Sequence, residues 1–248
     1  MPAAQHLHAP RLYVLSGAGL SAESGISTFR TGDGIWTRAS IDEVCNFTTW
    51  RRNREAVFRF YNERVAEKRD ARPNEAHQIL AAWQRTWGTE RVQLITQNID
   101  DLLEKAGAPH VVHLHGDMHS LQCTACDFRF ANDGDEFRSD AACPKCGEVD
   151  AVKPGVVFFH EPAPEYMNLH RMKVEMTDND LFVAIGTAFE VVSPESMLPW
   201  GRQNRHERNF LIDPSPRRTE VFGVVEPECA TVGLRNLANR ITSLMTTC

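Results

Sequence analysis

The chain has 248 residues, of which 42% are hydrophobic and 24% charged, and a formal net charge of −6. Such a length buries a sizeable core in one domain or two, and the composition is that of an ordinary globular protein. The acidic balance removes the electrostatic case for nucleic acid or an anionic membrane as the main partner, and no apolar run reaches the ~20 residues of a membrane helix.

The first residues lack the apolar stretch of a signal peptide, which predicts a cytoplasmic protein. Arg11–Ser16 reads as a short buried strand that runs into the glycine turn Gly17-Ala18-Gly19-Leu20-Ser21, with a helix from about Ser21 or Ala22. Residues 31–72 are polar and helix-prone, with a helix over Glu55–Lys68. A helix over Asn74–Gln84 follows, then buried strands at Val92–Thr96 and Val111–Leu114. Residues 119–153 hold four cysteines and short aromatic pieces such as Phe128-Arg129-Phe130. Further strands fall at Leu181–Ile185, Phe210–Ile212 and Val221–Val225, and a last helix at Leu234–Met245. Strands alternating with helices predict an α/β fold, a Rossmann-like parallel sheet covered on both faces. Residues 1–30, 73–118 and 154–248 would form it. Residues 31–72 and 119–153 would build a smaller helical and zinc-binding domain. Ligands of open α/β sheets bind at the carboxyl ends of the strands, so the cleft beside those insertions is the expected site.

Cys123, Cys126, Cys143 and Cys146 form two C-x2-C knuckles separated by residues 127–142. That is the spacing of a tetrahedral zinc site, and four thiolates leave no position for water, so the zinc is structural. Cys45, Cys229 and Cys248 are left over and read as inert thiols. In the glycine turn, Gly17 and Gly19 permit tight backbone geometry, and the helix start offers free N–H groups to a phosphate. The match to G-x-G-x-x-G is incomplete, since Ser21 stands two residues after Gly19 and the next glycine is Gly25.

The motifs continue in order. After Gly17–Ile26 come Thr28-Phe29-Arg30, Thr96-Gln97-Asn98-Ile99-Asp100, His113-Leu114-His115-Gly116, the four cysteines, Val156-Val157-Phe158-Phe159 and Gly186-Thr187. This series resembles the sirtuins, the NAD-dependent protein deacylases, over roughly residues 11–240. The resemblance implies NAD in the cleft and an acylated-lysine protein or peptide as substrate. It gives Gly17, Ala18, Gly19 and Ser21 to the pyrophosphate, and Phe29 and Arg30 to the nicotinamide ribose. Gln97, Asn98, Ile99 and Asp100 go to the nicotinamide pocket and its ribose. Gly186 and Thr187 go to the phosphate and adenosine side, with Ala230 near the adenine. His115 is implied as general base, with Asn98 and Asp100 as catalytic partners, and an imidazole with a pKa near ~6.5 suits a base at neutral pH. Val156, Val157, Phe158 and Phe159 would pair with the peptide as an added strand. His113 reads as structural.

Tyr61 and Arg64 are three apart on the expected helix and so share a face. A hydroxyl and a guanidinium can jointly hold a carboxylate. The Y-x-x-R pair resembles that of class III sirtuins, which remove succinyl, malonyl or glutaryl groups, and Thr28 agrees with that class. The expected activity is NAD-dependent deacylation of protein lysine, acidic acyl groups favoured and acetyl possible. The alternatives are NAD hydrolysis or ADP-ribosyl transfer, and then a non-catalytic NAD-binding module. The oligomeric state is left open, a monomer being compatible. Departures from the family pattern are His160 in place of glycine, Ala188 in place of serine, and Leu211 where an asparagine contacts the adenosine ribose, Asn209 being two positions away.

Overall fold

The computed structural model describes residues 9–28, 41–132, 136–204 and 206–246. The six strands expected of the larger unit are present. They are β1 (Leu12–Ser16), β2 (Val92–Thr96), β3 (Val111–His113), β7 (Leu181–Ile185), β8 (His206–Ile212) and β9 (Phe222–Glu226). They form one sheet in the order β3-β2-β1-β7-β8-β9, parallel throughout. Every residue of β1 and β7 is buried. Their sequences, Leu-Tyr-Val-Leu-Ser and Leu-Phe-Val-Ala-Ile, are apolar at both parities, as strands covered on two faces must be.

The period of two sorts these side chains between the covers. Leu12, Val14, Val183, Ile185, Phe210 and Ile212 face helices α4 (Glu75–Trp87) and α8 (Ala230–Thr246), meeting Leu80, Leu234 and Ile241. Tyr13, Leu15, Phe182, Ala184 and Leu211 face α6 (Tyr166–Glu175) and α7 (Pro194–Met197), meeting Leu169, Met172 and Met197. Helix α4 starts at a capping box. The Asn74 side chain accepts the His77 N–H at 3.3 Å, and His77 Nδ1 accepts the Asn74 N–H at 3.3 Å.

The smaller unit is antiparallel. Strands β4 (Gly116–Cys123), β5 (Arg129–Ala131) and β6 (Val152–Val156) pair in the order β5-β4-β6. With α2 (Ile41–Val44) and α3 (Arg54–Arg69) they enclose a third core, in which Trp50, Phe58, Tyr61, Phe137, Val152 and Phe158 are buried together. The sheet thus runs from 116 to 156, wider than the stretch 119–153. Helix α1 (Gly19–Ala22) begins two to three residues before the expected start, and α8 begins four residues before it. Helices α5 (Leu102–Lys105), α6 and α7 were not anticipated. Only Leu169 and Met172 of α6 are buried, too few to mark an amphipathic face.

Candidate active site

The sheet order reverses at β1, whose chain continues to β2 on one side while β7 lies on the other. At such a switch point the loops leave in opposite directions and open a crevice. Here two glycine turns cross it. The Gly17 N–H donates to Ile185 O at 3.0 Å and the Gly19 N–H to Gly186 O at 2.9 Å. A Cβ on Gly17 would lie 2.6 Å from Gly186 O, and one on Gly19 2.6 Å from Gly186 Cα. Gly186 itself holds φ at 60°. Only glycines allow these backbones to touch. The Ala18 N–H finds no acceptor among the described residues, a donor at the crevice that fits a phosphate oxygen.

Beneath the turns lies a buried polar chain. Ser16 Oγ donates to Thr96 Oγ1 at 2.9 Å, and Thr96 Oγ1 accepts the Asn98 N–H at 3.0 Å. The Asn98 amide donates to Gly17 O at 3.1 Å and Ser21 Oγ at 3.2 Å, and Ser21 Oγ donates to Asp100 Oδ2 at 2.9 Å. Burial pushes the Asp100 pKa up, opposed by the Leu102 N–H and the Ser21 hydroxyl. Ser21 also meets His77 Nε2 at 3.4 Å. Since His77 Nδ1 accepts the Asn74 N–H, Nε2 carries the proton and donates. The fold therefore brings Ser21, Asn98 and Asp100 together. They are held from below by His77, which the sequence reading did not single out.

His115 follows β3 and stands beside this loop. Its Nδ1 lies 2.9 Å from Gln97 O, a carbonyl that can only accept, so Nδ1 bears the hydrogen and Nε2 keeps the lone pair. That is the tautomer of a base. Burial draws its pKa below the ordinary imidazole value, against the pull of the Gln97 carbonyl. Tyr166 Oη, at the head of α6, lies 3.0 Å from Nε2. Sequence reasoning missed Tyr166 because nothing in its spacing marks it. The Gln97 amide donates to Thr187 Oγ1 at 2.9 Å, so the β2 and β7 loops close on each other. His113 Nδ1 donates to Asn98 O at 3.0 Å and its Nε2 meets Glu104 Oε1 at 2.7 Å. Burial pulls the His113 pKa down, yet the Glu104 carboxylate outweighs it and leaves it raised. His113 thus braces the loop from behind, a structural role.

Other residues of interest are more dispersed. Phe29 and Arg30 lie outside the described residues. Ile99 is half-buried against the third core. Ala230 is buried among the core residues at the start of α8. Leu211 is fully buried in the core, so it does not stand where a ribose contact would. Asn209 is fully buried too and spends its amide on Arg202 O at 2.9 Å and Val221 O at 3.0 Å. The residue that leaves the end of β8 is Asp213, half-buried, whose Oδ1 accepts the Ser215 N–H at 2.8 Å.

The segment expected to take the peptide is tied into the chain itself. Val157 N–H donates to His115 O at 2.8 Å, and Phe159 N–H to Cys45 O at 2.9 Å, while Phe159 O accepts the Phe47 N–H at 2.9 Å. Tyr61 is 2% exposed, and its hydroxyl donates to Cys45 Sγ at 3.4 Å. Its ring stacks on Phe158 with centroids 5.8 Å apart. Burial raises the Tyr61 pKa well above its usual value. Arg64 turns elsewhere, to Glu67 Oε1 at 2.9 Å and Oε2 at 3.2 Å and to Glu63 Oε2 at 3.4 Å. The pair shares a helix but not a ligand within the chain.

At the far end of β4 the ligand atoms of Cys123, Cys126, Cys143 and Cys146 all lie within 4.8 Å of one another. The closest sulfurs are 3.6 Å apart for Cys123 and Cys146 and 3.7 Å for Cys126 and Cys143. A tetrahedron with Zn–S of ~2.3 Å has S···S edges of ~3.8 Å, close to both of these separations, so the cluster has the ligand set and compactness of a zinc site.

The Sir2 family model matches residues 17–193. An NAD-dependent protein deacylase of Campylobacter jejuni subsp. jejuni serotype O:2 is 42% identical over 181 residues, 73% of this chain and 75% of its own length. The NAD-dependent protein deacylase 1 of Archaeoglobus fulgidus is 40% identical over 189 residues, 76% of this chain and 75% of its own. Among solved structures, a Sir2 homolog–NAD complex superimposes with a TM-score of 0.77 at 31% identity, covering 95% of this chain and 91% of that one. A Sir2 homologue mutant–ADP ribose complex gives a TM-score of 0.79 at 31% identity, covering 96% and 94%. The fold, the site and these likenesses agree over most of the chain, which belongs to the Sir2 family.

Proposed function

We infer that the chain is an NAD-dependent protein-lysine deacylase that favours acidic acyl groups. The observation that carries the reading is His115. Its tautomer is fixed by Gln97 O, which leaves the lone pair on Nε2, the nitrogen that Tyr166 Oη meets at 3.0 Å, beside the loop that carries Asn98 and Asp100.

NAD supplies an electrophilic ribose carbon once nicotinamide leaves, and the acyl-lysine amide oxygen is the partner held against it. The chain's own groups divide the rest. Ala18 and the glycine turn hold phosphate. Asn98 and Asp100, fixed through Ser21, orient the ribose, and Gln97 and Thr187 join the two walls of the crevice. His115 Nε2 removes the proton of a ribose hydroxyl so that its oxygen can attack the acyl carbon. Water would then displace the lysine amine from the acyl carbon, leaving the acyl group as an ester on ADP-ribose. Zinc at Cys123, Cys126, Cys143 and Cys146 is structural, since four thiolates close its coordination.

The acidic preference rests on Tyr61 and Arg64. An incoming carboxylate offers the guanidinium the same two-oxygen geometry that Glu67 offers now, and can replace it. The test is nicotinamide release with NAD and one lysine peptide in unmodified, acetylated and succinylated forms, with mass spectrometry of the products. Release that needs an acylated peptide, with O-acyl-ADP-ribose formed, supports deacylation. Equal release with the unmodified peptide would mean NAD hydrolysis or ADP-ribosyl transfer.

A further inference from the structure

Lys68 is a buried cation that the proposed reaction leaves unused. It stands in the last turn of α3, the helix that carries Tyr61 and Arg64, and its side chain is 7% exposed. Its Nζ lies 2.8 Å from His119 Nε2 and 3.8 Å from Asp101 Oδ1. His119 is on β4, and the same Nε2 lies 2.8 Å from Asp101 Oδ2. Lys105, at the end of α5, reaches Asp101 Oδ1 at 3.1 Å. Burial draws the Lys68 pKa down, and the Asp101 carboxylate is the foremost charge opposing it. Burial would raise the Asp101 pKa, but Lys68, Lys105 and His119 outweigh it and hold the carboxyl below its usual value.

Asp101 is therefore the point where side chains of α3, α5 and β4 converge. It follows Asp100 directly, and Asp100 is itself tied to the Ser21 hydroxyl at 2.9 Å and the Leu102 N–H at 3.1 Å. The residues before it are fastened by their carbonyls. Gln97 O meets His115, Asn98 O meets His113, and Ile99 O accepts the Met118 N–H at 3.2 Å. Those anchors all lie within 113–118, and Asp101 adds a charged tie from the loop to α3. One ring nitrogen cannot accept from Lys68 and donate to Asp101 at once. Whichever His119 does, the attraction between Lys68 and Asp101 still joins helix to loop.

The two partners are not equivalent. Without Lys68, Asp101 keeps Lys105 and His119. Without Asp101, Lys68 stays buried with a second lysine nearby and no carboxylate against it, and an uncompensated buried charge is costly. We propose that Lys68 is a positioning residue for the nicotinamide-side ribose of NAD. Through Asp101 it fixes the far end of the loop over residues 97–101, and with it the side chain of Asp100. This rests on the deacylase reading, which gives that loop to NAD.

The test compares K68M, K68R, D101N and the double K68M/D101N with wild type. The measurements are titration calorimetry with NAD, steady-state kinetics toward NAD and an acyl-lysine peptide, and thermal melts. K68M should weaken NAD binding about tenfold, the scale of one charge-assisted hydrogen bond. Its KM for NAD should rise in step while the peptide KM stays put. K68R keeps the charge and should recover most of the NAD affinity. D101N should melt lowest, and the double variant should bind NAD no worse than K68M, since both act through one contact. Should K68M not fold, the double variant, with no charge left buried, decides by the same tenfold loss. Unchanged NAD affinity, equal losses for NAD and peptide, single losses that add in the double, or K68R as weak as K68M would each overturn the positioning role. A wild-type protein that binds NAD yet releases nicotinamide without an acylated peptide would instead remove the deacylase reading, and calorimetry would still decide the role of Lys68.

Discussion

Tyr166 Oη lies 3.0 Å from His115 Nε2, the nitrogen proposed to receive the proton. A lone pair accepts one strong donor at a time, so the tyrosine stands where the reacting hydroxyl must come. Replacing His115 by alanine should lower turnover by ~10²-fold or more, the ordinary worth of a general base, with fold and zinc content intact. Tyr166→Phe should change kcat less than tenfold, since the phenol takes no part in the proton transfer. Single-turnover assays of both variants decide the point. A Tyr166→Phe loss as deep as that of His115→Ala would make the phenol part of the chemistry.

The same histidine sets a pH dependence. Burial lowers its pKa, and in the proposed role it works unprotonated. Activity should therefore rise with pH through a value below ~6.5 and be level by neutrality. A kcat/KM profile between pH 5 and 8 measures it, and an acid limb centred above 7 would contradict the burial argument.

His77 predicts a stability effect rather than a kinetic one. It is fully buried, and burial pushes its pKa down to about 4. The folded value lies below the unfolded ~6.5, so the unfolded chain binds the proton more readily. The contribution is complete above pH ~6.5 and is lost as pH falls toward 4, up to about 3 kcal/mol in all. Because His77 supports Ser21, and Ser21 supports Asp100, denaturant midpoints and NAD affinity should weaken together over that window. His77→Gln should flatten the pH dependence of the midpoint.

How much of this was legible in the chain depends on where the signal lies. The central strands β1 and β7 were plain because burial on two faces demands uninterrupted apolar runs. The cysteine spacing pointed to the zinc ligands, and the ordered motifs pointed to the Gln97–Asp100 loop and His115. Tyr166 and His77 were not legible, because each acts through a contact that only folding creates, between segments 51 and 56 residues apart. Leu211 misled because a position count was asked to locate a strand end, and the sheet places Leu211 in the core with Asp213 beyond it. The β6 strand was obscured by Pro154 and Gly155, which weaken a strand pattern read locally.

The zinc site makes its own forecast. The third core is held between α3 and the three-stranded sheet, separate from the two cores of the parallel sheet. Removing zinc by a chelator, or Cys143→Ser, should loosen the small unit first and abolish peptide turnover. Limited proteolysis with mass spectrometry should then find new cuts within 119–153 while the parallel sheet stays resistant. A zinc-free protein with full activity and an unaltered digest would be incompatible with a structural ion.

Arg64 offers the sharpest test of acyl choice. Its guanidinium is bound by Glu67 and Glu63 and stacks 4.7 Å from the Phe60 ring centroid. Deleting the charge removes the group that would pair with a succinyl carboxylate, but leaves the apolar stem, which Met can imitate. Arg64→Met should therefore reduce desuccinylation by about tenfold or more, the scale of a charge-assisted hydrogen bond, and deacetylation far less. Glu67→Gln should act the other way. It removes the carboxylate that competes for the guanidinium and repels an acidic acyl group, so the KM for the succinyl peptide should fall. Tyr61→Phe should follow Arg64→Met only if the hydroxyl turns from Cys45 to the substrate. Equal losses of both activities in Arg64→Met would reduce the arginine to a packing residue on α3 and leave acyl preference to the apolar wall around Phe158.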